Sequence, residues 1–255
     1  MATGDTMPAV LLVGESWLSY SVHIKGFNNF PTAYYEEGLA PLANALNGFA
    51  RLTHLPSHLA ATAFPFVLDA LQQYDVILFS DVGSDTLLLH PDTFLRSQVR
   101  ANRLRLLQQY VHQGAGFAML GGYMSFGGYE GKAHYHGGPV EELLPVEISP
   151  FDDRVETPEG IRPEPVDATH PILAGVEGLW PRLLGYNRLT AKADAQTLLR
   201  HGRDPFLVVG YYGRGRTAAY ASDVSPHWGS EEFINWTHYT RFWRQLVGWL
   251  AQIES

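Results

Sequence analysis

Four short stretches of this chain carry residues able to move protons, and each follows an apolar run of strand character. Glu15-Ser16 follows residues 9–13, and Ser80-Asp81 follows residues 75–79. Gly121-Gly122-Tyr123-Met124-Ser125 follows residues 116–120. Ser222-Asp223-Val224-Ser225-Pro226-His227-Trp228 follows residues 216–221. Ligands of an open parallel sheet bind beyond the carboxyl ends of its strands, so these loops are expected to converge on one crevice. His227 would act there as general base or acid, because imidazole changes charge near neutrality. Glu15 and Asp223 would tune it. Gly121, Gly122, Tyr123, Trp17, Asp81 and Trp228 are the expected substrate contacts.

The glycine-rich turn at 121–128 has the layout on which α/β hydrolases and amidotransferases mount a nucleophile. The sequence contains no cysteine, which excludes thiolate chemistry there. Ser125 is the hydroxyl left in that turn. It is either a nucleophile served by His227 or a side chain bonding the turn backbone, as serine commonly does. The N–H groups of residues 121–125 are expected to hold developing negative charge. A second chemistry is written in His134-Tyr135-His136, which puts two imidazoles on one side of an extended segment. With Glu15 or Asp81 they would ligate a divalent metal; otherwise they are loop histidines bonded to carbonyls. No other cofactor is expected.

Elements must exist to position these groups. Residues 9–13, 75–79 and 116–120 are nearly all apolar, as strands buried on both faces are, and 51–55 is a further strand candidate. Tyr35, Leu39, Leu42 and Leu46 recur at helical spacing, with Pro41 marking a start or kink and Gly48 an end. Residues 66–73 predict a short helix. Leu104, Leu107 and Val111 predict a longer one that Gly114 stops. The stretch 145–171 is rich in proline and reads as loop and edge strand. Residues 196–200, 206–212 and 216–221 read as strands, the last two joined by a turn at 213–215. Phe242, Leu246, Trp249, Leu250 and Ile253 mark a final helix. Strands alternating with helices predict one mostly parallel α/β domain over residues 1–255 with an antiparallel extension.

Composition narrows the partners. A formal net charge of −8 argues against nucleic acid and anionic membrane surfaces, which require basic patches. No apolar segment approaches a bilayer span, and no basic residue precedes the short apolar run near the amino terminus, so a cytoplasmic protein is expected. The proline-rich segment and the acidic corner Asp152-Asp153-Arg154-Val155-Glu156 read as an ion-pair corner or a contact between subunits of a homo-oligomer.

The chain also resembles the class I glutamine amidotransferase-like family along nearly its full length. The resemblance is carried by Gly14-Glu15-Ser16-Trp17, His23-Ile24-Lys25-Gly26-Phe27, Gly121–Phe126, residues 139–146 and Asp152–Glu156. It continues through His170-Pro171-Ile172-Leu173, residues 213–217, Ser222-Asp223 and Pro226-His227-Trp228-Gly229. It implies a flavodoxin-like three-layer sandwich. True amidotransferases carry a cysteine where Gly122 or Tyr123 stands, and a glutamate two residues after the histidine, where Gly229 stands. The resemblance therefore implies a protein without glutaminase activity that acts on, or binds, a small polar metabolite, carbohydrate-like or amide. As an enzyme it would be a hydrolase or isomerase. Its alternatives are a non-catalytic ligand-binding or assembly subunit and a metal-dependent hydrolase.

Overall fold

The computed structural model describes residues 7–253. Its strands are β1 (Ala9–Gly14), β2 (Ser16–Lys25), β3 (Asn28–Glu37), β4 (Arg51–Leu55), β5 (Val76–Ser80), β6 (Gly116–Leu120) and β7 (Val146–Glu147). They continue as β8 (Arg154–Ile161), β9 (Glu164–Pro165), β10 (Leu183–Asn187), β11 (Thr190–Ala191), β12 (Gln196–His201), β13 (Asp204–Tyr212) and β14 (Gly215–Tyr220). The main sheet runs β4-β1-β5-β6-β14-β13-β12-β9. From β4 to β14 it is parallel, and β13, β12 and β9 extend it antiparallel.

The apolar runs account for this architecture. Every residue of β1, β5 and β6 is buried, so each strand needs cover on both faces. Helices Ala40–Leu46 and Tyr239–Leu250 pack against each other, and helix Arg103–His112 packs with helices Leu68–Leu71 and Pro139–Leu143. The result is an α/β sandwich whose parallel strands all end on one edge, where Glu15, Asp81 and Gly121 begin the loops that carry the chemistry. Beyond β14, Ser222 and Asp223 leave the sheet on the same edge.

Two elements differ from expectation. Tyr35 lies on β3, and the helix begins at Ala40 with Pro41 in its first turn, where proline's missing N–H has no helical acceptor to serve. Upstream, β2 alternates apolar and polar residues and pairs along its whole length with β3 in a long hairpin, which overrode the helical spacing read through Tyr35. The proline-rich stretch is also more ordered than composition suggests. It contains the eight-residue β8, paired antiparallel with β10, and β8 carries residues that brace the site.

Candidate functional site

Two carboxylates stand at the first position beyond a parallel strand, and both have left-handed backbones: Glu15 at φ 50° and Asp81 at φ 50°. That conformation costs a residue with a side chain about 1–3 kcal/mol, so the surroundings must enforce it. Glu15 N–H donates to Ser80 O at 2.7 Å, and Gly38 N–H donates to Glu15 O at 3.0 Å. Asp81 N–H donates to Ser125 Oγ at 3.1 Å, while the Asp81 carboxylate accepts from Met124 N–H at 2.6 Å. The strain turns both side chains away from the sheet and towards a common cavity.

Glu15 is 3% exposed, and its carboxyl oxygens meet the hydroxyls of Ser80 and Ser225. Any side chain at Gly38 would overlap Glu15 and Ser225, so glycine closes the cavity from that side. Asp223 is 5% exposed and accepts from His227 Nδ1 at 2.6 Å and from Trp228 N–H at 3.1 Å. With Nδ1 so engaged, His227 Nε2 has no protein partner among the described residues. The imidazole is clamped by Trp228, stacked at 5.4 Å, and by Tyr123, edge-on at 4.7 Å. Both clamps are held in turn by Glu156, which accepts from Tyr123 Oη–H at 2.7 Å and from Trp228 Nε1–H at 3.0 Å.

The electrostatics follow from burial without lysine or arginine. A cavity of about 450 Å³ is lined by Glu15, Trp17, Asp81, Tyr123, Asp223, Ser225, Pro226 and His227. Neither lysine nor arginine lines it. Burial, and next the Asp223 charge, push Glu15 up to about 7; the same two causes push Asp81 up to about 6. Burial also raises Asp223, against the opposing bond from His227. His227 is raised first by its bond to Asp223. Glu15 and Asp81 therefore hold protons that exchange close to neutral pH, beside an Asp223–His227 pair whose members are both raised.

Gly122 shows why no nucleophile sits on the turn. A Cβ there would come within 2.9 Å of Asp81 Oδ1 and 3.0 Å of Asp223 Oδ1, on a backbone at φ 152°. Carboxylates fill the space that a nucleophilic side chain at this position would need.

Of the residues expected at the site, Glu15, Trp17, Asp81, Tyr123, Asp223 and His227 come together on the cavity. Others do not. Ser125 is 1% exposed, does not line the cavity, and spends its Oγ on Asp81 N–H, which leaves it a brace and not a nucleophile. Four of the five N–H groups expected to form an anion nest are spent: Gly121 N–H goes to Tyr220 and Ser222 carbonyls, Gly122 N–H to Asn187 Oδ1, Met124 N–H to Asp81, and Ser125 N–H to Gly122 O. Tyr123 N–H alone has no partner among the described residues, and one N–H is not a nest. Trp228 is fully packed against Gly185 behind His227 and supports the ring without facing the cavity. His134 is exposed and leans on Asp85 at 3.7 Å, whereas His136 Nδ1 meets Ile148 O at 2.7 Å. The two imidazoles do not converge, and no group of three or more His, Asp or Glu among the described residues has metal-ligating geometry.

Sequence reasoning assigned residues 152–156 to a surface corner, and the structure gives them a second task. Asp153 is buried and accepts from Gly127 and Gly128 N–H at 2.8 and 2.9 Å and from Asn187 Nδ2 at 2.8 Å. Asn187, fully buried, bridges Asp153 to Gly122. The glycine turn is thus moulded by Asp153, Asn187 and Glu156. Asn187 ends β10, and nothing in the sequence alone marks it as buried. A separate cleft of about 760 Å³ adjoins Asp153, but its Lys192 and Arg154 are engaged by neighbouring carbonyls and carboxylates.

Residues 9–252 match the family described as "Putative glutamine amidotransferase". The chain belongs to this family. Two solved structures resemble it over nearly the whole of both chains. One is Cytoplasmic Protein STM3548 from Salmonella typhimurium, with TM-score 0.91 and 42% identity over 94% of this chain and 98% of that one. The other is Cytoplasmic Protein STM1381 from Salmonella typhimurium LT2, with TM-score 0.91 and 41% identity over 95% and 99%. A thua-like protein from Parabacteroides merdae ATCC 43184 shares the fold at TM-score 0.58 and 10% identity, over 96% of this chain and 90% of that one. No curated protein matches the chain. Among the described residues no helix is long and apolar enough to cross a membrane. Membership gives the scaffold of an amidotransferase, while the absence of cysteine removes the nucleophile of the glutaminase reaction.

Proposed function

We propose that this protein is a cytoplasmic enzyme that moves protons on a small, neutral, polyhydroxylated or amide metabolite, without cofactor-borne chemistry. One observation carries the reading: a His227–Asp223 pair at 2.6 Å opens onto a cavity that also holds Glu15, a carboxyl pushed up to about 7. A carboxyl titrating near working pH beside an oriented imidazole on one cavity suits paired general acid and base catalysis. His227 Nε2 takes a proton from a substrate hydroxyl or an acidic C–H, and Asp223 stabilises the imidazolium that forms. Glu15 in its protonated form supplies a proton to the oxygen or nitrogen where negative charge develops.

The lining favours the substrate class by its charge. Three carboxylic groups without a lysine or arginine repel phosphates and carboxylates. Hydroxyl and amide groups satisfy those acceptors, and the rings of Trp17 and Tyr123 offer faces to the apolar side of a sugar-like molecule. The metal-dependent alternative has no converging donor set to support it.

The test is incubation with neutral aldoses, ketoses, polyols and simple amides in D2O, followed by proton NMR, with His227→Asn as control. Deuterium entering at carbon identifies an isomerase, and a new hydrolytic product identifies a hydrolase; each should disappear in the variant. Saturable binding without turnover would replace this reading with a ligand-binding subunit. Turnover only of phosphorylated or carboxylated substrates would overturn the charge argument.

A further inference from the structure

The hairpin of β2 and β3 pairs with no other strand. It extends about 30 Å if its ten-residue strands keep ordinary rise. At its base it is tied to the body by Ser57 N–H, which donates to Ser16 Oγ at 2.8 Å, and by Tyr35 edge-on to His58 at 4.9 Å. Register separates its two faces. Leu18, Tyr20, Val22 and Ile24 share one face with Asn29, Pro31, Ala33 and Tyr35, and with Glu37 at its base; Ser19, Ser21, His23 and Lys25 share the other with Trp17, Phe30, Thr32, Tyr34 and Glu36. On β2 the second face is what water should meet, although β3 adds two aromatic rings to it. The first is not.

That apolar face stands open. Leu18 is 68% exposed, Tyr20 69%, Val22 55% and Ile24 76%, with Phe27 fully exposed at the tip. Period-two alternation of this kind marks a strand with one buried face, yet none of the described residues buries it. An isolated two-stranded hairpin is marginal in water unless a further layer packs on it.

We propose that the apolar face of this arm packs against the same face of the arm of a second copy, forming a two-fold dimer. Three features favour a second copy as the occupant. From Leu18 to Ile24 the face carries no charged side chain, its one carboxylate being Glu37 at the base, bonded by Tyr35, so two chains of net charge −8 meet along the outer arm without repulsion between side chains of the contact. Leu18, Tyr20, Val22 and Ile24 are each more than half exposed and form one continuous apolar strip, with Phe27 at the tip to extend it towards the roughly 800 Å² per partner of a standard stable interface. It is also needed at all times to stabilise the hairpin, and a second copy is the cover that every chain has at hand; a patch that meets itself closes as an isologous pair. The arm roots at Trp17, which lines the site cavity, so assembly would steady one wall of the site.

The chain's lack of cysteine makes the test clean. Light scattering of the full chain should give a mass at least twice 28.4 kDa at micromolar concentration. Tyr20→Thr combined with Ile24→Thr should weaken assembly at least 100-fold with an unchanged far-ultraviolet circular dichroism spectrum. Val22→Cys should form an intermolecular disulfide under mild oxidation, and Ser21→Cys, on the opposite face, should not. A 28.4 kDa wild-type monomer would overturn the proposal. So would a double variant that assembles like the wild type, or cross-linking through Ser21→Cys and not through Val22→Cys.

Discussion

Two acidic clusters of this molecule are built from the same residue types and behave in opposite ways. Glu15, Asp81 and Asp223 are buried together with no lysine or arginine on their cavity, and all three are pushed up. Asp152 lies at the surface beside Arg154, whose guanidinium bonds it at 2.9 and 3.0 Å and holds it well below the usual carboxylate range. Arg154 in turn sits over the rings of Tyr123 and Tyr129 at 4.4 and 4.3 Å. A carboxylate with a cation is a brace, while carboxylates buried with an imidazole alone are a proton store. The difference lies in the counter-ion, not in the residues.

The largest effect should come from cutting the store's connection to His227. Asp223→Asn should lower turnover of whatever substrate the D2O assay identifies by about 10³-fold, as loss of an oriented general base does. It should also lower the His227 pKa, since the bond to Asp223 is the main reason that it is raised. A variant with wild-type turnover would break the comparison.

An intermediate effect concerns stability. The folded Glu15 titrates at about 7 against 4.5 for the free side chain, so the folded chain holds a proton the unfolded chain has released. Stability therefore falls as pH rises from about 4.5 to 7, and is lowest from this cause above 7. Glu15→Gln keeps partners for both serine hydroxyls and removes the penalty. Urea unfolding should show the variant more stable by up to roughly 3 kcal/mol at pH 8, and no more stable than wild type at pH 4. Catalysis should suffer in the same variant, the usual exchange between a strained site and stability.

The smallest effect should come from the brace. Asp152 has a depressed folded pKa, so its contribution exists above about 3.8 and is lost as pH falls. Its side chain is 36% exposed, and solvent screening limits Asp152→Asn to less than about 1 kcal/mol at pH 7. Turnover should change less than in either of the other variants.

Much of this arrangement was legible in the sequence, because the parallel strands announce themselves. Runs such as Val76–Ser80 and Gly116–Leu120 are apolar at every position a buried strand needs, and the residue after each is where a ligand meets the sheet. That logic expected Glu15, Asp81, Asp223 and His227 to converge, and they line one cavity. It failed where position alone does not tell direction. Ser125 shares the turn with Tyr123, yet its hydroxyl turns back to Asp81, and Trp228 points behind the histidine it follows. His134 and His136 are two residues apart on a segment that is not extended, since His134 has φ 61°, so their imidazoles part company. The arm was hidden for another reason. Alternation in β2 is plain, but a strand with an open apolar face violates the assumption that a chain covers its own surface.

The central claim is that Glu15 is a carboxyl poised near neutrality inside a cavity without lysine or arginine. Carboxyl ¹³C NMR of a sample labelled at glutamate, with Glu15→Gln to assign the signal, reads this directly. The account predicts a Glu15 midpoint close to 7, displaced from the bulk of the glutamates. A midpoint near the ordinary 4.5 would contradict it and remove the proton store on which the proposed chemistry depends.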